Sequence, residues 1–205
     1  MISESMISNL FRKAALKLAE SGSIEEKYVE LYVIAMQSLM AMLLNVATTL
    51  VIGYLLGMWW HSVILFAAFI PLRSYAGGYH ARGYISCYLE SCVILTAILL
   101  ITRTIIQSPK PMLGLWILFL IAAVVVFLLA PLADENKPIS EKEAIVFKRR
   151  ARLILIVEII VSGVLGVMHM DYCYAVMMAV ILSALLLLLY KCREIVISRK
   201  EKLNM

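Results

Sequence analysis

The feature that most constrains this chain is a set of long apolar runs without charged residues. One of them, residues 181–189, reads ILSALLLLL. About 20 apolar residues are needed to cross the roughly 30 Å hydrocarbon core of a bilayer. Only α-helices and closed β-barrels satisfy every backbone polar group there. Barrel strands would alternate apolar and polar residues, which this run does not do. The runs therefore predict an all-α polytopic integral membrane protein.

The composition excludes an ordinary soluble domain. Hydrophobic residues make up 63% of the chain and charged residues 16%, against about 45–50% and about 25% in soluble domains. The four cysteines lack the spacing of a disulfide framework, and the three histidines are too scattered for a metal cluster. No cofactor, cleavable signal peptide or nucleic-acid partner is expected.

The runs predict about six transmembrane helices within a domain of residues 28–192, followed by a cytoplasmic tail, 193–205. Gly57 would join the first two helices in a tight turn. Pro71 would end the second helix, because proline removes a backbone donor. The predicted spans are residues 31–56, 58–72, 86–106, 112–132, 153–168 and 173–190.

Residues 1–27 are too polar to enter the hydrocarbon. Apolar residues recur at helical spacing between Ile7 and Leu18, with Arg12, Lys13 and Lys17 elsewhere around the helix. This pattern predicts an amphipathic helix on the membrane surface. A helix packed against the rest of the protein is the alternative.

The distribution of Lys and Arg predicts the orientation, because these residues concentrate in cytoplasmic loops. With the N-terminus inside and six spans, all but Arg103 and Lys110 of the 19 cations lie on the cytoplasmic side. Both termini and residues 73–87 are then cytoplasmic. The net charge of +5 is mostly a topology signal, with anionic lipids as the default partner.

The residues most suggestive of chemistry lie between the second and third spans. Residues 73–87 read RSYAGGYHARGYISC, with His80 and, seven residues later, Cys87. A thiolate is a nucleophile, and a nearby imidazole can generate it and later protonate a leaving amine. The partial positive charge at a helix N-terminus would further favour the thiolate of Cys87.

The spacing imposes a geometric condition on this pair. In one continuous helix, seven residues place His80 and Cys87 about 10.5 Å apart along the axis, whereas a catalytic contact needs roughly 3 Å. A catalytic pair therefore requires a break between them, for which Gly83 is suited. Spacing alone does not establish catalysis. Cys87 could simply pack within a membrane helix, and His80 could be a solvated residue of a loop.

Two motifs resemble the accessory gene regulator B (AgrB) family, membrane cysteine endopeptidases of Gram-positive quorum sensing. The first is the Ala76-Gly-Gly-Tyr-His-Ala81 core with its following cysteine, and the second is Ala130-Pro-Leu-Ala-Asp-Glu-Asn-Lys-Pro-Ile139. Chain length, six-span hydropathy and a basic loop after the fourth span also fit, so the likeness covers most of the chain.

The resemblance implies that His80 and Cys87 cleave a short AgrD-like precursor, an amphipathic peptide with an acidic C-terminal tail. Cys87 would form a thioester, and a side chain of the bound peptide would close a ring to give an autoinducing peptide. The expected localisation is the bacterial cell membrane, with the catalytic segment 73–90 cytoplasmic. The resemblance also suggests a homodimer.

Four further residues of the catalytic segment are candidates for supporting roles. Glu90 lies three residues after the cysteine, on the same helical face; it could orient the histidine, bind the peptide, or pair with an arginine such as Arg73. Gly77 and Gly78 could donate backbone N–H groups to the scissile carbonyl, or form a plain turn.

A basic cytoplasmic loop is expected over residues 134–152. Its cations could capture the acidic precursor tail, or simply set topology and contact lipid. The candidates are Lys148, Arg149, Arg150 and Arg152.

Two other functions remain open from the sequence. A small peptide exporter would use the same residues only to line a path, although no internal repeat of the transporter type is visible. A scaffold subunit of a larger complex would retain full function without Cys87.

Overall fold

The computed structural model describes residues 2–77, 84–108, 113–132 and 141–203, which form seven α-helices and a 3₁₀ turn, Glu26–Tyr28. Gly77 and Leu132 form an isolated β-bridge. The helices are α1 (Ile2–Glu20), α2 (Val29–Leu55), α3 (Trp59–Ala76), α4 (Tyr84–Ile106), α5 (Leu113–Leu129), α6 (Glu141–Val167) and α7 (Tyr172–Leu203).

Three helical stretches within these ranges are long and apolar enough to cross a membrane: Glu26–Leu55, Tyr88–Ile106 and Tyr172–Val196. A fourth helix, α5, is apolar but spans only 17 residues. The all-α class is confirmed, and the helices are those of a membrane protein. The number of six spans stays a prediction.

The sixth helix begins earlier than the sequence suggested. The predicted span starts at residue 153, whereas α6 begins at Glu141, so the second half of the expected basic loop is helical. Lys and Arg exclude a segment from hydrocarbon but are good helix formers. Charge therefore indicates where a membrane span could begin, and not where the helix begins. Likewise, α7 continues through the predicted tail to Leu203.

The prediction that Pro71 ends the second helix is wrong. Helix α3 passes through Pro71 and continues to Ala76. Proline costs one hydrogen bond here, but Leu72 and Ala76 beyond it are 0% and 1% exposed. Their burial in the core outweighs the missing donor. Gly77 instead ends the helix, with φ of 72°.

One of two compact units comprises residues 1–51 and 81–95. In it, Ala15 of α1 is fully buried against Val29 and Val33 at the start of α2. Arg12 and Glu30 join the same two helices by a 3.3 Å ion pair. These contacts favour the packed alternative for the N-terminal helix.

The other unit comprises residues 52–80 and 96–205, and α7 packs there against α3, α5 and α6. Because α7 is apolar around its circumference as far as Tyr190, this part can be covered on several sides. Its buried core residues come from all four helices: Leu72, Ala76, Phe119, Ala122, Ala123, Val126, Ala130, Ala151, Leu155, Met177, Val180, Ala184 and Leu187.

Candidate functional site

The last turn of α3 leads directly into the segment that carries His80. Arg73 lies in this turn and is half-buried. Its carbonyl accepts the Gly77 N–H at 3.2 Å. That N–H is engaged in closing the helix, which favours the turn alternative for Gly77 over a donor to the substrate.

Gly77 is also held against Leu132, three residues after the end of α5. Leu132 donates its N–H to the Ala76 carbonyl at 3.0 Å, and Gly77 forms the bridge with Leu132. A Cβ at Gly77 would collide with the Leu132 carbonyl. Its dihedrals, φ 72° and ψ −150°, lie in a region that only glycine adopts at low cost. The requirement for glycine here is therefore both conformational and steric.

A second contact holds the same turn from the side of α6. Arg150 donates to the Tyr75 hydroxyl at 3.1 Å, and its guanidinium lies 5.3 Å from the centre of that ring. The Phe147 ring packs edge-to-face against the Tyr75 ring, with the two ring centroids 5.6 Å apart. Cation–π and aromatic contacts of this kind contribute about 1 kcal/mol each. The end of α3 is thus fixed by two independent neighbours.

The other end of the segment is the start of α4. This helix begins at Tyr84, so Cys87 lies in its first turn, at the positive end of the helix dipole. The next residue, Tyr88, exchanges a 2.8 Å hydrogen bond with the hydroxyl of Thr48 on α2. One turn later, the Cys92 thiol donates to the Asn45 side-chain oxygen at 3.6 Å. These bonds tie the first turns of α4 to α2.

The central pair itself is not placed by the structure. His80 and Gly78 lie outside the described residues, as does the side chain of Cys87. The predicted contact between the histidine and the cysteine therefore stays a prediction. Glu90 is exposed on α4, three residues after Cys87 on the same face, and its role also stays a prediction.

The helical form of residues 141–152 separates the candidate cations. Arg150 faces α3 through Tyr75, whereas the Arg152 guanidinium lies 4.0 Å from the Phe127 ring centre on α5 and 3.4 Å from its carbonyl oxygen. Lys148 and Arg149 are exposed. The structure thus places these four cations at different positions around α6, whereas the sequence predicted a single basic loop.

Sequence reasoning missed several residues that form contacts at the end of α3 or at the start of α4. Tyr75, Leu132 and Tyr88 lie within or beside the quoted motifs but carry no catalytic group. A signal existed for Tyr75 and Tyr88, since a tyrosine at the end of an apolar helix commonly needs a partner for its hydroxyl. The contact of Leu132 is between backbones, and no side-chain pattern reveals it.

A metal site finds no support in the part of the chain that the structure describes. No three His, Cys, Asp or Glu side chains there lie close enough together to hold a metal ion.

The described helices, three of which are long and apolar enough to cross a membrane, fit the class of helical membrane proteins. The family model for Accessory gene regulator B matches residues 6–188, and the chain belongs to this family. It is 27% identical to Accessory gene regulator protein B of Staphylococcus intermedius over 138 residues, which cover 67% of this chain and 72% of that protein. No solved structure matches it significantly.

Proposed function

We propose that this protein is a membrane cysteine endopeptidase that cleaves a short precursor peptide and promotes its cyclisation into a quorum-sensing signal. Family membership over residues 6–188 supports the class. His80 and Cys87 within the matched region supply a base and a nucleophile.

The first step is acyl transfer to the cysteine. His80 removes the proton from the Cys87 thiol, and the thiolate attacks the scissile carbonyl carbon of the precursor. The C–N bond then breaks, and His80 returns the proton to the departing amine. The N-terminal part of the peptide remains on Cys87 as a thioester, and the C-terminal tail leaves.

The second step closes the ring. A nucleophilic side chain in the bound peptide, a thiol for a thiolactone, loses its proton to His80 and attacks the thioester carbonyl. Cys87 leaves as a thiolate and is reprotonated. Because a thioester retains much of its acyl reactivity, this step does not have to start from a stable amide. A site at the membrane boundary limits competing attack by water.

The observation that carries the proposal is the anchoring of both helices that border the catalytic segment. The end of α3 is fixed by the Gly77–Leu132 bridge and by Tyr75 and Arg150. The start of α4 is fixed by Tyr88 and Thr48. Catalytic groups need precise positioning, and each of these contacts, within its own unit, restrains one helix end beside the segment.

The cations near the end of α3 support a substrate with an acidic tail. Arg150 and the half-buried Arg73 offer charges that suit an acidic peptide tail. We expect raised salt to increase KM for the precursor without lowering the melting temperature, because exposed charges are screened beyond about 10 Å at 0.1 M. A KM that is independent of salt would count against capture by charge.

The proposed location is the bacterial cell membrane, with six spans and both termini in the cytoplasm. The distribution of Lys and Arg supports this orientation. It puts residues 73–90 on the side where a newly made precursor is found.

The direct test is single-turnover processing of the cognate precursor in liposomes by the wild type, Cys87→Ala and His80→Ala. The proposal predicts that cleavage is lost in both variants. Normal processing by both would favour an exporter, or a scaffold if Cys87→Ser also keeps every function. Vectorial release of uncleaved peptide from sealed vesicles would identify an exporter.

A further inference from the structure

The outward face of α6 carries a shallow groove that the proposed chemistry does not use. It has a volume of about 520 Å³. All its lining residues come from α6, at intervals of three or four that keep them on one helical face. They are Ile145, Lys148, Arg149, Arg152, Leu153 and Ile156.

We propose that this groove binds an anionic phospholipid, with the phosphate between Lys148, Arg149 and Arg152 and an acyl chain along Leu153 and Ile156. The inference does not depend on the proposed proteolysis. It concerns an exposed flank of α6 that borders the buried side of the helix, where Ala151 and Leu155 are 1% and 2% exposed.

The upper part of the groove suits a phosphodiester. Lys148 and Arg149 are exposed and adjacent, and Arg152 follows one turn later. Arg152 is held in place by the Phe127 ring and carbonyl, so one guanidinium is already oriented before a ligand arrives. Guanidinium and ammonium groups are the common partners of phosphate oxygens.

The lower part of the groove suits a hydrocarbon chain. Leu153 and Ile156 are 55% and 49% exposed, and Ile160 continues the same face at 58% exposure. These residues belong to the predicted membrane span, whose outer surface meets acyl chains. The groove changes from cations to aliphatic side chains at residue 153. A phospholipid changes in the same order, from a charged headgroup to an acyl chain.

Charge and apolarity together favour lipid over other occupants. A second copy of this chain would bring three like charges against three, which is unfavourable. An acidic peptide tail would pair with the cations but leave the aliphatic side chains unused. An anionic phospholipid satisfies both halves.

The test is native mass spectrometry of the full-length protein, titrated in detergent with phosphatidylglycerol or with phosphatidylcholine. The charge variant is Lys148→Gln/Arg149→Gln, and the matched control is Lys191→Gln/Arg193→Gln in the C-terminal half of α7. We expect the charge variant to weaken phosphatidylglycerol binding by about 30-fold, since each surface cation contributes about 1 kcal/mol. The control should change it by less than about threefold, and phosphatidylcholine should bind weakly to all proteins.

A second variant, Leu153→Ser/Ile156→Ser, keeps every cation and tests the chain contact. It should lose long-chain phosphatidylglycerol, and soluble glycerol phosphate should not displace lipid from the wild type. Equal losses in the charge variant and its control would overturn the proposal in favour of bulk charge. Unchanged lipid binding with lost binding of the precursor would overturn it in favour of an acidic peptide site.

Discussion

The Arg150 guanidinium donates a 3.1 Å hydrogen bond to the Tyr75 hydroxyl and lies over the ring of the same residue. This contact joins the cationic beginning of α6 to the last turn of α3, immediately before the segment that carries His80. A residue first considered for charge alone thus also contacts the end of α3.

Removing the hydroxyl of Tyr75 tests this contact. Tyr75→Phe keeps the ring against Phe147 but loses a hydrogen bond with a charged partner. We expect kcat for precursor cleavage to fall about 5- to 10-fold, corresponding to about 1–1.5 kcal/mol. Tyr54→Phe, at a tyrosine that is 70% exposed, is the control and should be neutral. A Tyr75→Phe enzyme with wild-type kcat would show that the bond does not position the site.

Gly77→Ala should destabilise the protein more than alanine at another glycine with positive φ. Gly77 combines a strained backbone with a collision against the Leu132 carbonyl, whereas Gly22 has φ of 73° and open space around it. We expect a loss of about 3 kcal/mol or more at Gly77 and about 1 kcal/mol at Gly22. Thermal unfolding in detergent measures both, and equal losses would mean that the Leu132 contact relaxes freely.

The bond between Thr48 and Tyr88 should be energetically coupled to catalysis at the neighbouring Cys87. A double-mutant cycle with Thr48→Val and Tyr88→Phe isolates it. We expect a coupling energy of about 0.5–1.5 kcal/mol in stability and a several-fold drop in single-turnover cleavage for either single variant. Strictly additive variants with full activity would refute a link between this bond and the position of Cys87.

Glu158 should be a net cost to stability. It is 5% exposed in α6, and neither carboxylate oxygen has a hydrogen-bond partner among the described residues. Glu158→Met keeps side-chain length while removing a buried polar group, so we expect stabilisation by about 2 kcal/mol, or about 4–8 °C in melting temperature. Glu194→Met, at an exposed acid paired with Lys191, should not stabilise. A destabilised Glu158→Met protein would reveal a partner for the carboxylate.

The sequence predicted the helices of this fold well where hydrophobicity alone decides. The predicted first and third spans, 31–56 and 86–106, correspond to α2 and α4 within two residues at each end. It failed where packing overrides local preference. Pro71 did not end α3 because the residues beyond it are buried. The start of α6 was missed for a different reason: Lys and Arg are good helix formers, and the sequence predicted a membrane span rather than a helix.

For the candidate site too, the sequence revealed some features and not others. The motif around His80 and Cys87 was visible because reactive side chains stand out at a membrane boundary. The partners that hold the surrounding helices, Leu132 and Thr48, were not, because their contacts join distant parts of the chain and involve backbone groups or a common hydroxyl. The bond that Asn45 accepts from the Cys92 thiol is another contact between distant parts of the chain.

The central claim is that Cys87 carries the peptide as a thioester. The most direct measurement is intact-protein mass spectrometry after mixing the wild-type enzyme with a precursor whose ring-forming side chain is replaced by alanine, so that the second step is blocked. The account predicts a mass increase equal to the N-terminal part of the precursor, located on Cys87 and removed by hydroxylamine. It also predicts no such increase with Cys87→Ala. Release of the acidic tail without any adduct on Cys87, or an adduct that persists in Cys87→Ala, would contradict it.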